Sequence, residues 1–268
     1  MSKFRTVEFS DPRFEANHLR FMTVKTPHLR GRGDVCLFVP PNIQAGQVVP
    51  IAILLHGVYG SAWAWALNAG VHVQAMEMIR RDEIPPMIIA MPSDGLWGDG
   101  SGYLPHNGYD FEKWIVHDVV EALAEHIRGA HKESPLFIAG LSMGGFGALR
   151  IGAKYANRFS AISAHSSITS LAQMSLFVEE DIANYFQTSK ADEDVFQTFE
   201  MHKDILPPIR FDCGTGDQLL EYNRELHRKM LLAGMPHEYE EYPGAHEWSY
   251  WEAHISKSLQ FFAKQPVG

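Results

Sequence analysis

The 268-residue sequence predicts an α/β fold: a mostly parallel central sheet with helices on both faces. Three observations lead there. Short, continuous apolar runs recur along the chain, as in Ile51–Leu55 (IAILL), and a strand reads that way when both of its faces are covered. Segments with helical spacing lie between these runs, and strands alternating with helices form right-handed crossovers into a parallel sheet. Hydrophobic residues make up 46% of the chain and charged residues 21%, which supplies a sizeable core without staples or metals. No linker, repeat or low-complexity stretch divides the sequence, so residues 1–268 read as one domain.

Taken in order, residues 19–24 and 35–39 read as strands, with Gly31 and Gly33 supplying the turn between them. No helix fits in that interval, so the two strands are expected to pair antiparallel. Pro40, Pro41 and Gly46 then mark a loop before the buried strand Ile51–Leu55. A helix over 71–81 leads to a second apolar run, 87–91 (MIIAM). Trp114, Ile115, Val119, Leu123 and Ile127 fall at helical spacing and predict a helix over 111–128. The run beginning at Leu136 (LFIA) is the next strand, followed by a helix over 142–155. Residues 165–205 mix acidic and aromatic side chains and fit short helices beside the mouth of a site; no large cap domain fits there. Strands over 209–213 and 238–242 alternate with helices over 219–233 and 247–262 to finish the pattern.

The net charge is −9 and no Lys/Arg run exceeds a pair, since Arg80-Arg81 is followed at once by Asp82 and Glu83. A nucleic-acid binder needs a clustered basic surface, so that class is set aside. Cys36 and Cys213 sit in apolar runs and read as buried thiols rather than a disulfide framework. Residues 1–20 alternate charged and apolar side chains, with no apolar core of signal-peptide length. No stretch approaches the roughly 20 apolar residues of a membrane span. A cytoplasmic enzyme without membrane contact is the expectation. No cluster has the usual metal-ligand spacing, and no cofactor is expected.

The chemistry concentrates at four places. Leu136–Leu141 runs into Gly140-Leu141-Ser142-Met143-Gly144 and then Gly145-Phe146-Gly147. The pattern G-x-S-x-G between a strand and a helix places a serine on a tight, strained turn, with its hydroxyl above the sheet at the positive end of the helix dipole. Three glycines in the first helical turn each cost about 1 kcal/mol against alanine, a local rule broken where a site is built. Ser142 is therefore the expected nucleophile. Ile51–Leu55 ends in His56-Gly57-Val58-Tyr59-Gly60, the loop that supplies one oxyanion-hole N–H in this arrangement. Val58 is the expected donor, with Tyr59 as the alternative, and Met143 gives the second N–H. His56 reads as a loop-packing histidine. Asp217, in the Gly-rich loop Gly214-Thr215-Gly216-Asp217, is favoured as the acid over Asp212, which lies within the strand. His246, in Pro243-Gly244-Ala245-His246, is favoured as the base over His254, two turns into the last helix. A base must be neutral to accept the serine proton, so activity is expected to rise with pH as that proton leaves.

These residues resemble a known family. HGVYGSAWAW, AGLSMGGFGALR, CGTGDQLLEYNRELHRKML and YPGAHEWSYWEAHI are similar to the putative-esterase family of α/β-hydrolases, most of all to the small bacterial tributyrin esterases, with esterase D and feruloyl and acetyl-xylan esterases in the same group. The resemblance spans about residues 35 to 262. It implies an α/β-hydrolase fold, a Ser142–His246–Asp217 triad and hydrolysis of a small-molecule carboxylic ester through an acyl-enzyme. S-formylglutathione hydrolases usually read GHSMGG at the nucleophile, whereas this chain has Leu141. Short acyl chains are expected because no large cap is present; thioester or carbohydrate-ester hydrolysis and acyl transfer are the alternatives, and a non-enzymatic scaffold on the same fold is the reading from another class. Tyr59, Trp97 and Trp248 are expected to contact substrate. Trp97 and Tyr103, in the loop 93–103, suit stacking on a sugar or aromatic group, loop packing, or a calcium loop from the Asp/Gly spacing. Trp63, Trp65 and Trp97 fit a pocket wall or a homodimer face.

Overall fold

A computed structural model describes residues 4–266. Its nine-stranded sheet runs in the order β1-β2-β3-β5-β4-β8-β9-β10-β11. The strands are β1 (Val7–Phe9), β2 (Leu19–Thr26), β3 (Gly31–Phe38), β4 (Ile51–Leu55), β5 (Ile88–Pro92), β8 (Leu136–Leu141), β9 (Phe159–His165), β10 (Ile209–Gly214) and β11 (Glu238–Tyr242). A separate two-stranded ribbon joins β6 (Pro105–His106) to β7 (Tyr109–Asp110). β1, β2 and β3 pair antiparallel, and β3 meets β5 antiparallel; from β5 to β11 every pairing is parallel. The mostly parallel sheet is thus the expected one, and the antiparallel β2–β3 pair holds.

The turn between that pair is not where the sequence suggested. Gly31 and Gly33 lie inside β3, and the turn is the tetrad 27–30. The reason is packing rather than bending: a Cβ on Gly33 would lie 2.5 Å from the Trp114 ring.

Alternate residues along each strand divide the core in two. Ile51, Ile53, Leu55 and Ile138 face one layer, built from the helical run 111–126, α5 (Met143–Lys154), α6 (Val195–His202) and α7 (Leu220–Leu232). Ala52, Leu54, Phe137 and Ala139 face the other, built from α1 (Ala64–Ala69), α2 (Val71–Arg80) and α8 (Trp248–Ala263). The run 111–126 is not a uniform helix. α3 (Phe111–Lys113) widens into a π-helical stretch, Trp114–Val119, before α4 (Val120–His126). Between β9 and α6 the chain makes only short 3₁₀ turns, at Leu171–Leu176, Ile182–Tyr185 and Lys190–Glu193.

After β4 the chain steps to β5 on one side, and after β8 it steps to β9, β10 and β11 on the other. The C-terminal ends of β4 and β8 therefore flank a topological switch point, where an open parallel sheet leaves a crevice for a ligand. Among the described residues, no helix is long and apolar enough to cross a membrane. Cys36 and Cys213 are buried free thiols. Burial pushes Cys36 up to about 12 and raises Cys213 further.

Candidate active site

The turn after β8 is built as the glycine pattern demands. Ser142 has φ 52° and ψ −120°, a left-handed backbone that L residues rarely adopt, and it sits at the N-terminus of α5. A Cβ on Gly140 would lie 2.1 Å from the Gly144 carbonyl oxygen. One on Gly144 would lie 2.3 Å from the Leu55 oxygen and 2.5 Å from the His56 oxygen. The two motif glycines let α5 and the end of β4 close on the turn. The turn is tied down by its own backbone: the Ser142 N–H donates to the His165 carbonyl at 3.0 Å, and the Ser142 carbonyl accepts from Phe146 (3.1 Å) and Ile168 (3.2 Å).

His246 and Asp217 reach this serine from the ends of β11 and β10. His246 Nε2 lies 2.9 Å from Ser142 Oγ, and His246 Nδ1 lies 2.9 Å from Asp217 Oδ2. An ionised carboxylate only accepts, so Nδ1 carries the proton and Nε2 is left to accept from the serine hydroxyl. Asp217 Oδ1 accepts from the Leu219 N–H at 2.8 Å, which fixes the carboxylate plane. The two loops are also joined directly: Gly216 N–H donates to Gly244 C=O (2.8 Å) and Thr215 N–H to Tyr242 C=O (2.8 Å).

The Tyr59 N–H is committed to the Asp99 carbonyl at 2.8 Å. Among the described residues, no such partner takes the Val58 or Met143 N–H. Tyr59 itself is exposed, and its hydroxyl donates to the Phe177 carbonyl. A cleft of about 440 Å³ opens over Ser142, lined by Val58, Tyr59, Trp63, Phe177, Trp248 and Trp251 among others. Phe177 stacks on the His246 ring at 5.2 Å between centroids, and Trp251 meets that ring edge-on at 5.0 Å.

The competing residues have other work. His56 is buried; its Nε2 accepts from the Asp94 N–H at 3.1 Å, so Nδ1–H donates to the Gly57 carbonyl at 2.7 Å. His254 stacks on Tyr242 at 4.3 Å, away from Ser142, and burial lowers its pKa. Asp212 is fully buried; burial opposes its charge, but His165, Arg210 and Tyr250 outweigh that and hold its carboxyl down at about 2.

Trp97, expected to contact substrate, does not line the cleft. It packs edge-on against His106 (4.6 Å) and Tyr185 (5.4 Å), drawn inward by the hydrophobic layer beneath it. Tyr103 is fully buried and donates to the His56 carbonyl at 3.1 Å, so it offers no stacking face. The loop aspartates have structural partners: Asp94 closes its own loop, accepting from Leu96 N–H (2.9 Å) and Ser101 N–H (2.7 Å), and Asp99 ties the loop to the segment after β9, accepting from Glu179 N–H (2.8 Å). Among the described residues, no group of His, Cys, Asp and Glu side chains is arranged to hold a metal ion. Trp65 is buried, leaving Trp63 and Trp248 at the cleft wall. Sequence reasoning did not single out Phe177 or Trp251. The HEWSYW segment contained a signal for the second; the first lies in an irregular stretch with no period to read.

Fold and site together define a serine hydrolase of the α/β-hydrolase fold. The chain belongs to the Esterase family ("Putative esterase"), whose model matches residues 27–262, and its activity class is hydrolysis of carboxylic esters. An acetyl esterase from Caldicellulosiruptor saccharolyticus is 28% identical over 229 residues, 79% of this chain and 82% of that one. An esterase from Mycobacterium tuberculosis (strain ATCC 25618 / H37Rv) is 26% identical over 193 residues, 60% of this chain. This chain spans only 42% of that relative. A solved ferulic acid esterase superposes with a TM-score of 0.80 at 23% identity, over 98% of this chain and 99% of the other. An S-formylglutathione hydrolase from Agrobacterium tumefaciens superposes at 0.76 with 16% identity, over 100% of both chains. At those identities the two structures speak for the fold.

Proposed function

We propose that this chain is a carboxylesterase for short acyl chains, working through Ser142, His246 and Asp217. The observation that carries the reading is the continuous hydrogen-bonded line from Ser142 Oγ through His246 to Asp217, with 2.9 Å at each link. Ser142 Oγ attacks the ester carbonyl as its proton passes to His246 Nε2. Asp217 keeps the ring in the right tautomer and stabilises the imidazolium. The carbonyl oxygen becomes an oxyanion that accepts from the Val58 and Met143 N–H groups; losing one such donor typically costs about 3 kcal/mol. His246 then protonates the leaving alkoxide, and the acyl group stays on Ser142. Water, deprotonated by His246, attacks the acyl-enzyme and releases the acid.

The short-chain preference is supported by the modest size of the aromatic-lined cleft, about 440 Å³, and by the acetyl esterase named among the relatives. The test is kcat/KM on p-nitrophenyl acetate, butyrate, octanoate and laurate. A maximum at acetate or butyrate is expected. A maximum at laurate would overturn the chain-length reading while leaving the triad reading intact.

A further inference from the structure

Behind the triad lies a second array of the same three residue types, and it is sealed from solvent. His165, Asp212 and Ser258 are all fully buried. His165 Nε2 lies 2.7 Å from Ser258 Oγ, and His165 Nδ1 lies 2.9 Å from Asp212 Oδ2. Ser258 Oγ continues to Ser163 Oγ at 2.6 Å. Asp212 Oδ1 accepts from the Tyr250 hydroxyl at 2.7 Å, and Oδ2 accepts from Arg210 Nη1 at 2.6 Å. Arg210 in turn reaches Glu240 Oε2 on β11 at 2.9 Å. Taking these ionic groups out of water is costly, and apolar residues would fill the same space at less expense. An array kept there at that cost calls for a purpose beyond packing.

Its connections supply one. The array touches each segment that carries a member of the triad. His165 is opposite Leu141 in the β8–β9 register, and its carbonyl accepts the Ser142 N–H at 3.0 Å. Asp212 is opposite His165 in the β9–β10 register, and its carbonyl accepts the Ser166 N–H at 2.8 Å. Asp212 lies five residues before Asp217 on the same strand and loop. Tyr250 and Ser258 sit on α8, the helix that begins just after His246. The Tyr250 ring is the surface against which the His246 loop turns, since a Cβ on Gly244 would lie 2.6 Å from its Cδ2.

We infer that Asp212, with His165, Ser258 and Tyr250, is a positioning hub that sets the relative placement of Ser142, Asp217 and His246. The four touch no substrate and move no proton in the reaction. They act through backbone: β9 holds the serine turn, β10 delivers the acid, and α8 holds the histidine loop. A shift of about 1 Å between reacting groups can cost on the order of a hundredfold in rate, so a hub that fixes three loops to one another acts on kcat. This inference rests on the triad reading above.

The test uses Tyr250→Phe, Ser258→Ala and Asp212→Asn in the full chain. Tyr250→Phe keeps the ring against Gly244 and removes one bond to Asp212. kcat, KM and Tm are measured with p-nitrophenyl butyrate at 25 °C, together with the rate of Ser142 inactivation by a fluorophosphonate. The expected result is a fall in kcat of about tenfold for Tyr250→Phe and Ser258→Ala, with KM within about twofold and a parallel fall in inactivation rate. Folded variants that keep wild-type kcat and inactivation rate while losing only Tm would overturn the hub and leave a purely structural network. If Asp212→Asn fails to fold, the two milder variants decide. Wild-type protein that hydrolyses no ester, or Ser142→Ala that keeps full activity, would instead overturn the triad reading on which the hub depends.

Discussion

At the residue scale, the site rests on contacts that tolerate little change. Gly144 has the carbonyl oxygens of Leu55 and His56 where a methyl group would go, both of them backbone atoms that cannot swing aside. Gly144→Ala should therefore displace the end of β4 from the serine turn. We expect Tm to fall by several degrees and ester turnover to drop at least about a hundredfold, as a displacement of roughly 1 Å would cause. Near-wild-type activity in a folded variant would show that the turn can shift without cost. Asp217→Asn keeps the shape but lets the side chain donate where it must accept, which favours the wrong histidine tautomer. A loss on the order of a thousandfold in kcat with little change in KM is expected. Ser142, Asp217 and His246 were legible because each stands in a short local pattern of glycine, proline and strand end. Phe177 was not, because its approach to His246 depends on how the irregular chain after β9 packs, which no local spacing encodes; Trp251 stands five residues after His246 in HEWSYW, a signal that was present and not used.

At the scale of elements, legibility followed side-chain size. β4, with four large apolar residues in five, was read with its ends correct. β9 (FSAISAH) was missed as a strand. Its serines and alanines are small because α5 and α8 pack closely over it, so it lacks the bulky run that marks a buried strand. α1 has six residues, too few for helical periodicity to show. The run 111–126 was read as one helix from its spacing; the π-helical stretch within it has no sequence mark, yet it carries the buried Asp118, and the buried Glu112 stands just before it. Glu112 pairs with Arg150, with Lys154 Nζ at 3.2 Å, and accepts from the Tyr155 hydroxyl at 2.7 Å. Burial alone would raise the Glu112 pKa, but Arg150 and Lys154 outweigh it and bring the carboxyl from 4.5 down to about 2. A carboxyl lowered on folding stabilises the protein above its unfolded value and loses that contribution as pH falls toward the folded one. Stability should thus decline between about pH 4.5 and 2, by on the order of 3 kcal/mol from this group. Glu112→Gln should lower the urea midpoint at pH 7, because the buried Arg150 keeps its bond to the Tyr103 carbonyl (2.6 Å) but loses its counter-charge. It should also flatten the decline between pH 5 and pH 3. An unchanged midpoint at pH 7 would contradict this account of the helix contact.

At the scale of the whole molecule, charge and topology meet at one end of the sheet. The segments that follow the strand ends, 56–63, 93–104, 166–194, 215–219 and 243–247, hold ten carboxylates and one lysine. That is a formal −9, the whole net charge of the chain; the remaining residues carry 22 of each sign. Of these carboxylates Glu247 lines the cleft itself; a field of one sign around it repels ligands of that sign, and added salt screens the effect. An ester with a carboxylate on its leaving group, such as 3-carboxy-4-nitrophenyl butyrate, should react with about tenfold lower kcat/KM than p-nitrophenyl butyrate at low salt. The gap should narrow at 0.5 M NaCl, about where the Debye length falls to a few ångströms. A gap that does not respond to salt would show that the rim charge plays no part. The reaction itself depends on Ser142 as the nucleophile. Turnover of p-nitrophenyl butyrate by wild-type and Ser142→Ala protein in parallel decides that role. The wild type is expected to turn over and the variant to fall by about a thousandfold or more, with the same Tm. Equal rates in the two proteins would contradict it.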